Sequence, residues 1–129
     1  MDKPRAIGLR LPFPPSANTY YRKVGVRMLI SKAGRAYKAE VRACLLEQIG
    51  LMKPIEGHVS IHVRLHPGDK RRRDLDNFAG KALYDALTYA GAWLDDIQVK
   101  ESHNFMHGKS DDPCCLIVIE ELGNGTDTV

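Results

Sequence analysis

The stretch HVSIHVRLH, residues 58–66, alternates strictly between polar and apolar side chains. The apolar side chains are those of Val59, Ile61, Val63 and Leu65. Because successive side chains of a strand point to opposite faces, this pattern predicts a strand with one face against a core. The opposite face carries His58, His62 and His66, spaced about 13 Å apart in a strand, which is too far to share one metal ion. We therefore expect these histidines to face solvent or an interface.

Apolar periodicity on both sides of this strand predicts the rest of the fold. Three- and four-residue spacing marks two helices, the first capped by Ser31 and the second by Asp76 or Asn77. A short apolar run at 26–30 indicates a further small strand or extended arm. The main predicted elements, in chain order, are a strand at 5–11, a helix at 32–49, a strand at 57–66, a helix ending at Gly91, a strand at 97–106 and a fully buried strand at 114–120.

This order, β-α-β-α-β-β, predicts an α/β (α+β) fold with a small mixed four-stranded sheet and two helices. Each helix can cross over between parallel strands, and both then lie on one side of the sheet. The last two strands can pair as a hairpin. We expect a single domain over 1–122 and a flexible tail at 123–129.

Length and composition restrict the class of protein. The chain has 129 residues, which fits one domain of roughly 100–150 residues. Its net charge of +3 implies that an anionic partner would meet a local basic patch rather than the whole surface. Three cysteines, an apolar content of 43%, and the absence of a signal-like or membrane-spanning apolar run predict a reduced cytoplasmic globular protein.

The segment KRRRDLDN, residues 70–77, carries the strongest chemical signal. Four cations run directly into Asp74 and Asp76, whose i, i+2 spacing places them on one side of an extended strand end, with Leu75 turned to the core. Two converging carboxylates repel each other unless a cation lies between them, and Mg²⁺ prefers such oxygen ligands together with phosphate oxygens. The pattern favours a metal site beside a polyanionic substrate.

Structural interpretations of the same residues remain open. Asp76 could be a helix cap, Asp74 could pair with Arg72, and the basic run could be a solvated loop. A second acidic pair, Asp95-Asp96, precedes the strand at 97–106 and could equally be an ordinary turn. Since the two acidic segments lie at opposite ends of parallel strands, they would meet only if the segment at 74–76 folds back or a partner subunit contributes. Lys81, near the start of the second helix, could contact phosphate or be solvated.

Together these motifs resemble the RusA family of Holliday junction resolvases, found in bacteria and their prophages. The resemblance is carried, in the family's order, by PPSANTYYR at 14–22, RRDLDN at 72–77, the helix from Lys81 to Leu87, and GAWLDDIQV at 91–99. The combination of DLDN with a later aromatic residue, the acidic pair and QV is specific, and it covers nearly the whole chain.

The resemblance implies a homodimer that binds four-way branched DNA and cuts two opposed strands with Mg²⁺, or with Mn²⁺ in its place. It assigns metal binding and catalysis to Asp74, Asp76 and Asp96, and a catalytic lysine to Lys81. The chain departs from the family pattern by one extra residue between Asn77 and Lys81. Gly80 could restore the register through a bulge or a later helix start.

The expected DNA contacts come from the basic run and from the loop after the first strand. They are Lys70, Arg71, Arg72, Arg73, Asn77, Asn18, Tyr20, Tyr21 and Arg22. For the two tyrosines, core packing is the alternative to base stacking. A metal-dependent nuclease of other branched DNA and a non-catalytic junction-binding module remain the alternative functions.

Overall fold

The computed structural model of the protein describes residues 4–122. Its strands are β1 (Ala6–Leu11), β2 (Tyr21–Val24), β3 (Arg27–Ile30), β4 (Val59–His66), β5 (Val99–Met106) and β6 (Cys114–Glu121). Its helices are α1 (Ala17–Tyr20), α2 (Lys32–Gln48) and α3 (Lys81–Ala90), with short 3-10 turns at Leu75–Asn77 and Asp96–Gln98. The tail predicted at 123–129 lies outside the described residues, and the single domain over 1–122 stays a prediction.

The main sheet is mixed and has the order β1-β6-β4-β5. β6 runs antiparallel to both β1 and β4, and β4 and β5 are parallel. The two long helices pack against each other over the apolar face of the sheet, where the side chains of Ile61 and Leu65 are fully buried. The four-stranded mixed sheet, the parallel pair and the placement of both helices on one side are confirmed.

The predicted hairpin between the last two strands is wrong, because β6 lies between β1 and β4 rather than beside β5. A central strand has both edges hydrogen-bonded, and the apolar β6 takes that position, while the polar β5 forms an exposed edge. β6 is also not fully buried. Leu116 and Val118 are 39% and 41% exposed on the face away from the helices.

Some element boundaries differ from the prediction. α3 begins at Lys81, so neither Asp76 nor Asn77 caps it, and β5 begins at Val99 rather than at Ile97. The apolar run at 26–30 does form a strand, and its partner is β2 in a separate hairpin. The sequence did not indicate β2 because the exposed hairpin has no core-facing stripe.

The histidines of β4 face away from the helices and stack on His103 of β5 and on His107, which directly follows this strand. The ring centroids of His62 and His103 lie 4.6 Å apart, and those of His66 and His107 lie 4.1 Å apart. No helix among residues 4–122 is both long and apolar enough to cross a membrane.

A glycine in α2 brings this helix against the segment that carries Tyr20. A Cβ on Gly34 would lie 2.4 Å from the Tyr20 carbonyl oxygen and 2.7 Å from Cγ2 of Ile30. Ser31 caps α2, as predicted, by accepting the Gly34 N–H at 3.0 Å, and its hydroxyl also donates to the Tyr20 carbonyl at 3.0 Å. The loop at 12–21 is thereby fixed to the helix layer.

Candidate functional site

The basic run lies in the polar loop after β4, where the carboxylate of Asp69 organises it. This carboxylate accepts the Arg71 backbone N–H at 3.0 Å and the Arg71 Nε–H at 3.2 Å, and it lies 2.9 Å from the Arg73 guanidinium. These hydrogen bonds, first of all the one from the Arg71 backbone, lower the pKa of Asp69 to about 2. Arg71 and Arg73 therefore pair with Asp69, and the described residues show no ion pair between Arg72 and Asp74.

Arg73 differs from the other cations of the run because its side chain is only 11% exposed. Its guanidinium lies 5.3 Å from the ring centroid of Phe13 and 5.8 Å from that of Phe78. This contact joins the basic loop to the loop after β1. Lys70, Arg71 and Arg72 are exposed, and all three arginines line a cleft of about 340 Å³ together with Pro14, Pro15 and the two phenylalanines.

Asp74 and Asp76 are both exposed, and Leu75 between them packs against the core. The inward position of Leu75 agrees with the prediction. The predicted extended conformation of residues 74–76 is found only at Asp74. Asp74 is extended, whereas Leu75–Asn77 form a 3-10 turn in which the N–H of Asn77 donates to the Asp74 carbonyl at 3.1 Å. Asn77 is half-buried in this turn.

Gly80 accounts for the extra residue before Lys81. Its φ of +154° is rare for residues with a side chain, and it lets the chain leave the 3-10 turn and begin α3 at Lys81. Of the two ways in which the register could be restored, the structure shows the later helix start. Lys81 is exposed at this helix start.

Only one member of the acidic pair 95–96, Asp95, caps the 3-10 turn that follows. Asp95 caps the 3-10 turn by accepting the Ile97 N–H at 3.1 Å, so the turn interpretation holds for Asp95. Gln98 completes the cap, since its side-chain oxygen accepts the N–H groups of Leu94 and Asp95 at 2.8 Å each. Its amide nitrogen donates to the carbonyls of Ile55 and Gly57 at 2.7 and 2.8 Å. This buried glutamine fixes the turn from which Asp96 projects.

Asp96 lies beside the first turns of α3. Partial burial and the adjacent Asp95 raise its pKa, the Asp85 carboxylate adds to the increase, and the positive charge of Lys81 opposes it. The first turns of α3 therefore lie close enough to Asp96 for the charges of Lys81 and Asp85 to act on it.

The two tyrosines of the loop after β1 differ in environment. Tyr20 is fully buried, and its hydroxyl donates to Asp85 at 2.5 Å. The DNA contact predicted for Tyr20 is therefore wrong for this conformation, because no part of its ring is open to a base. Tyr21 is half-buried and lines a cleft of about 450 Å³ together with Asn18, Lys23 and Lys81. Asn18 and Arg22 are exposed.

The carboxylates have the chemistry of a hard divalent metal site, since Asp74, Asp76 and Asp96 all keep some exposure to solvent. Among residues 4–122, no three histidine, cysteine, aspartate or glutamate side chains are gathered closely enough to hold one ion. The donor chemistry therefore fits such an ion, and the described conformation does not bring three carboxylates together.

Sequence reasoning missed three residues that shape this region. Asp69 orders the basic run, Asp85 holds Tyr20, and Gln98 fixes the acidic turn. A signal existed for Gln98, because a glutamine three residues after an aspartate is a capping-box spacing. The partners of Asp69 and Asp85 depend on folded geometry that no local pattern reveals.

Comparisons with known proteins point to one family. The family model described as "Endodeoxyribonuclease RusA" matches residues 12–120. Crossover junction endodeoxyribonucleases RusA of Shigella sonnei and of Escherichia coli strain K12 are each 40% identical over 119 residues, covering 90% of this chain and 95% of the relative. The crossover junction endodeoxyribonuclease of Enterobacteria phage 82 matches with the same identity and coverage.

Proposed function

Since this chain belongs to the endodeoxyribonuclease RusA family, we propose that it is a structure-specific endodeoxyribonuclease that resolves Holliday junctions by paired cuts. The observation that carries the proposal is the 40% identity over 90% of the chain to crossover junction endodeoxyribonucleases. Membership of the family implies a divalent metal requirement, and we propose Mg²⁺, with Mn²⁺ as a substitute. We place its action in DNA recombination and repair in the bacterial cytoplasm, because the relatives come from enteric bacteria and one of their phages.

Asp74, Asp76 and Asp96 are the residues proposed to hold the metal. Once bound, a divalent ion activates water and stabilises charge on the phosphate. The chain's own contribution is to fix Asp96 through the cap made by Asp95 and Gln98. Lys81 is proposed to bind the phosphate next to the cut, since its charge already acts on Asp96.

DNA contacts outside the acidic residues are assigned to the two loops that meet at Arg73. Lys70, Arg71 and Arg72 are exposed and would neutralise phosphates. Arg73 is proposed to place these cations on the DNA side through its contacts with Phe13 and Phe78. The remaining proposed contacts are Asn18, Asn77, Tyr21 and Arg22.

The proposed assembly is a homodimer. A four-way junction is two-fold symmetric, so two identical sites related by a two-fold axis would cut opposed strands at equivalent positions. One chain of this length supplies one set of Asp74, Asp76 and Asp96.

The test uses synthetic four-way junctions and linear duplexes of matched sequence, with Mg²⁺ and then Ca²⁺. We expect junction binding in both ions and paired nicks in Mg²⁺ alone. Equal cutting of linear duplex and junction would contradict the proposal, and faster cutting of flaps would favour a nuclease of other branched DNA. Binding without cleavage in Mg²⁺ or Mn²⁺ would indicate a non-catalytic module.

A further inference from the structure

The hydroxyl of Tyr21 is buried and has no hydrogen-bond partner among residues 4–122. A buried polar group that lacks a partner destabilises the folded state, because it has given up its hydrogen bonds to water. An unpaired group of this kind in a native site calls for an explanation, and one explanation is that its partner is present only when the site is occupied.

The neighbouring Tyr20 differs from Tyr21 because its hydroxyl has a hydrogen-bond partner. The rings of Tyr20 and Tyr21 meet edge to face with centroids 4.8 Å apart. Tyr20 donates to Asp85, so that carboxylate already has a phenol bound to it. Tyr21 feels the charges of both Asp85 and Asp96, which leaves Asp96 as the acidic neighbour without a tyrosine partner.

Tyr21 also lies next to Lys81, at the wall of a cleft. Its ring forms part of the cleft of about 450 Å³ that Lys81 lines, and Lys81 is the cation that acts on Asp96. At neutral pH the phenol keeps its proton, so its hydroxyl can donate a hydrogen bond to an anionic oxygen.

We propose that Tyr21 is a positioning residue whose hydroxyl donates a hydrogen bond to the Asp96 carboxylate when metal and DNA occupy the site. The inference rests on the proposed function. A donor of this kind would hold one carboxylate oxygen in place and leave the other free to bind the ion. This role belongs to the hydroxyl and is separate from any stacking of the ring on a base.

The test is Tyr21→Phe, which removes the hydroxyl and keeps the ring. We expect cleavage of four-way junctions in Mg²⁺ to slow by about 10- to 100-fold, with a higher Mg²⁺ concentration at half-maximal rate. Junction binding in Ca²⁺ should stay within about twofold of the wild type, since the variant keeps the aromatic ring that is proposed to contact the DNA. The thermal midpoint should be unchanged or higher, because the variant removes an unpaired buried group.

Tyr20→Phe is the matched control, because it removes a hydroxyl that is hydrogen-bonded. Its thermal midpoint should fall. A thermal midpoint that falls for Tyr20→Phe but not for Tyr21→Phe separates a positioning role of Tyr21 from a structural one.

Two results would overturn the inference while leaving the proposed function intact: wild-type cleavage by Tyr21→Phe, or slow cleavage accompanied by a lower thermal midpoint. If the wild-type protein fails to cut junctions in Mg²⁺ or Mn²⁺, the proposed function is wrong, and the inference about Tyr21 falls with it.

Discussion

The guanidinium of Arg73 lies 2.9 Å from the carboxylate of Asp69, in the loop whose four cations were all expected to contact DNA. This pairing divides the basic run into one anchoring arginine and three exposed cations. The distinction has a direct consequence for substitutions in the run.

Arg72→Ala and Arg73→Ala should affect different properties, junction binding in the first case and folding stability in the second. Arg72 is exposed, so its loss should weaken junction binding and reduce the salt dependence of log K by about one ion, without changing stability. Loss of Arg73 should lower the free energy of unfolding by about 1 kcal/mol, because the contacts with Phe13 and Phe78 disappear. Urea unfolding and binding at several salt concentrations measure both effects. An identical stability for the two variants would argue against the anchoring role.

Acid stability should depend on Asp69. Its folded-state pKa of about 2 lies below its usual value of 3.8, so its contribution to stability is complete above pH 4 and is lost as the pH falls through about 2. Asp69→Asn should abolish this component, so that the variant loses less stability than the wild type between pH 4 and 2. Thermal unfolding across this pH range tests the prediction. A wild-type and variant pair with parallel pH profiles would refute it.

The adjacent carboxylates of Asp95 and Asp96 offer a matched pair of substitutions. Asp96→Asn should bind four-way junctions as well as or better than the wild type, because a negative charge near the phosphates is removed. Its cleavage should fall on the order of 100-fold or more, and we expect the same of Asp74→Asn. Asp95→Asn should cleave almost normally, since asparagine also caps helical turns. Retained cleavage by Asp96→Asn or Asp74→Asn would count decisively against the proposed site.

Gln98 should matter for stability. Gln98→Ala removes four hydrogen bonds and leaves backbone groups of Leu94, Asp95, Ile55 and Gly57 without their partner. We expect a loss of at least about 2 kcal/mol in the free energy of unfolding. Ile97→Ala is the control, because Ile97 is 71% exposed and its loss should change stability by less than about 0.5 kcal/mol. Similar urea midpoints for the two variants would show that the capping network is dispensable.

Gly34→Ala should disturb both fold and site. The added Cβ would meet the Tyr20 backbone at 2.4 Å, and overpacking of this kind costs about 1–3 kcal/mol. Since the backbone of Tyr20 leads directly into Tyr21, cleavage should also decline. Gly8→Ala is a suitable control, because a Cβ there has nothing within 4 Å. Wild-type stability of Gly34→Ala would mean that the helix and loop can separate without cost.

Local patterns predicted those elements that have a clear apolar stripe. α2 was predicted to within one residue at each end and β4 to within two, because their periodicity is strong. The position of β6 in the sheet could not be found in this way, since hydrogen-bond partners far apart in sequence leave no local trace. α3 begins later than its stripe suggested because Gly80 interrupts the backbone before Lys81.

The candidate site was predictable in residue type and only partly in geometry. The acidic and basic residues stand out in the sequence, but their partners lie in other elements. Tyr20 and Asp85 are 65 residues apart along the chain and bind each other in the fold. The separate roles of Asp95 and Asp96 likewise depend on the hydrogen bonds of the turn, in which Asp95 is the capping residue.

The central position of β6 has a consequence for synthesis of the protein. β1 takes its hydrogen bonds in the main sheet from β6 alone, so a nascent chain that still lacks residues 114–121 cannot complete that sheet. Residues 70–98 leave the ribosome earlier, without the framework that orders them. Folding must therefore wait for the last strand, and nuclease activity would arise only after translation has passed it.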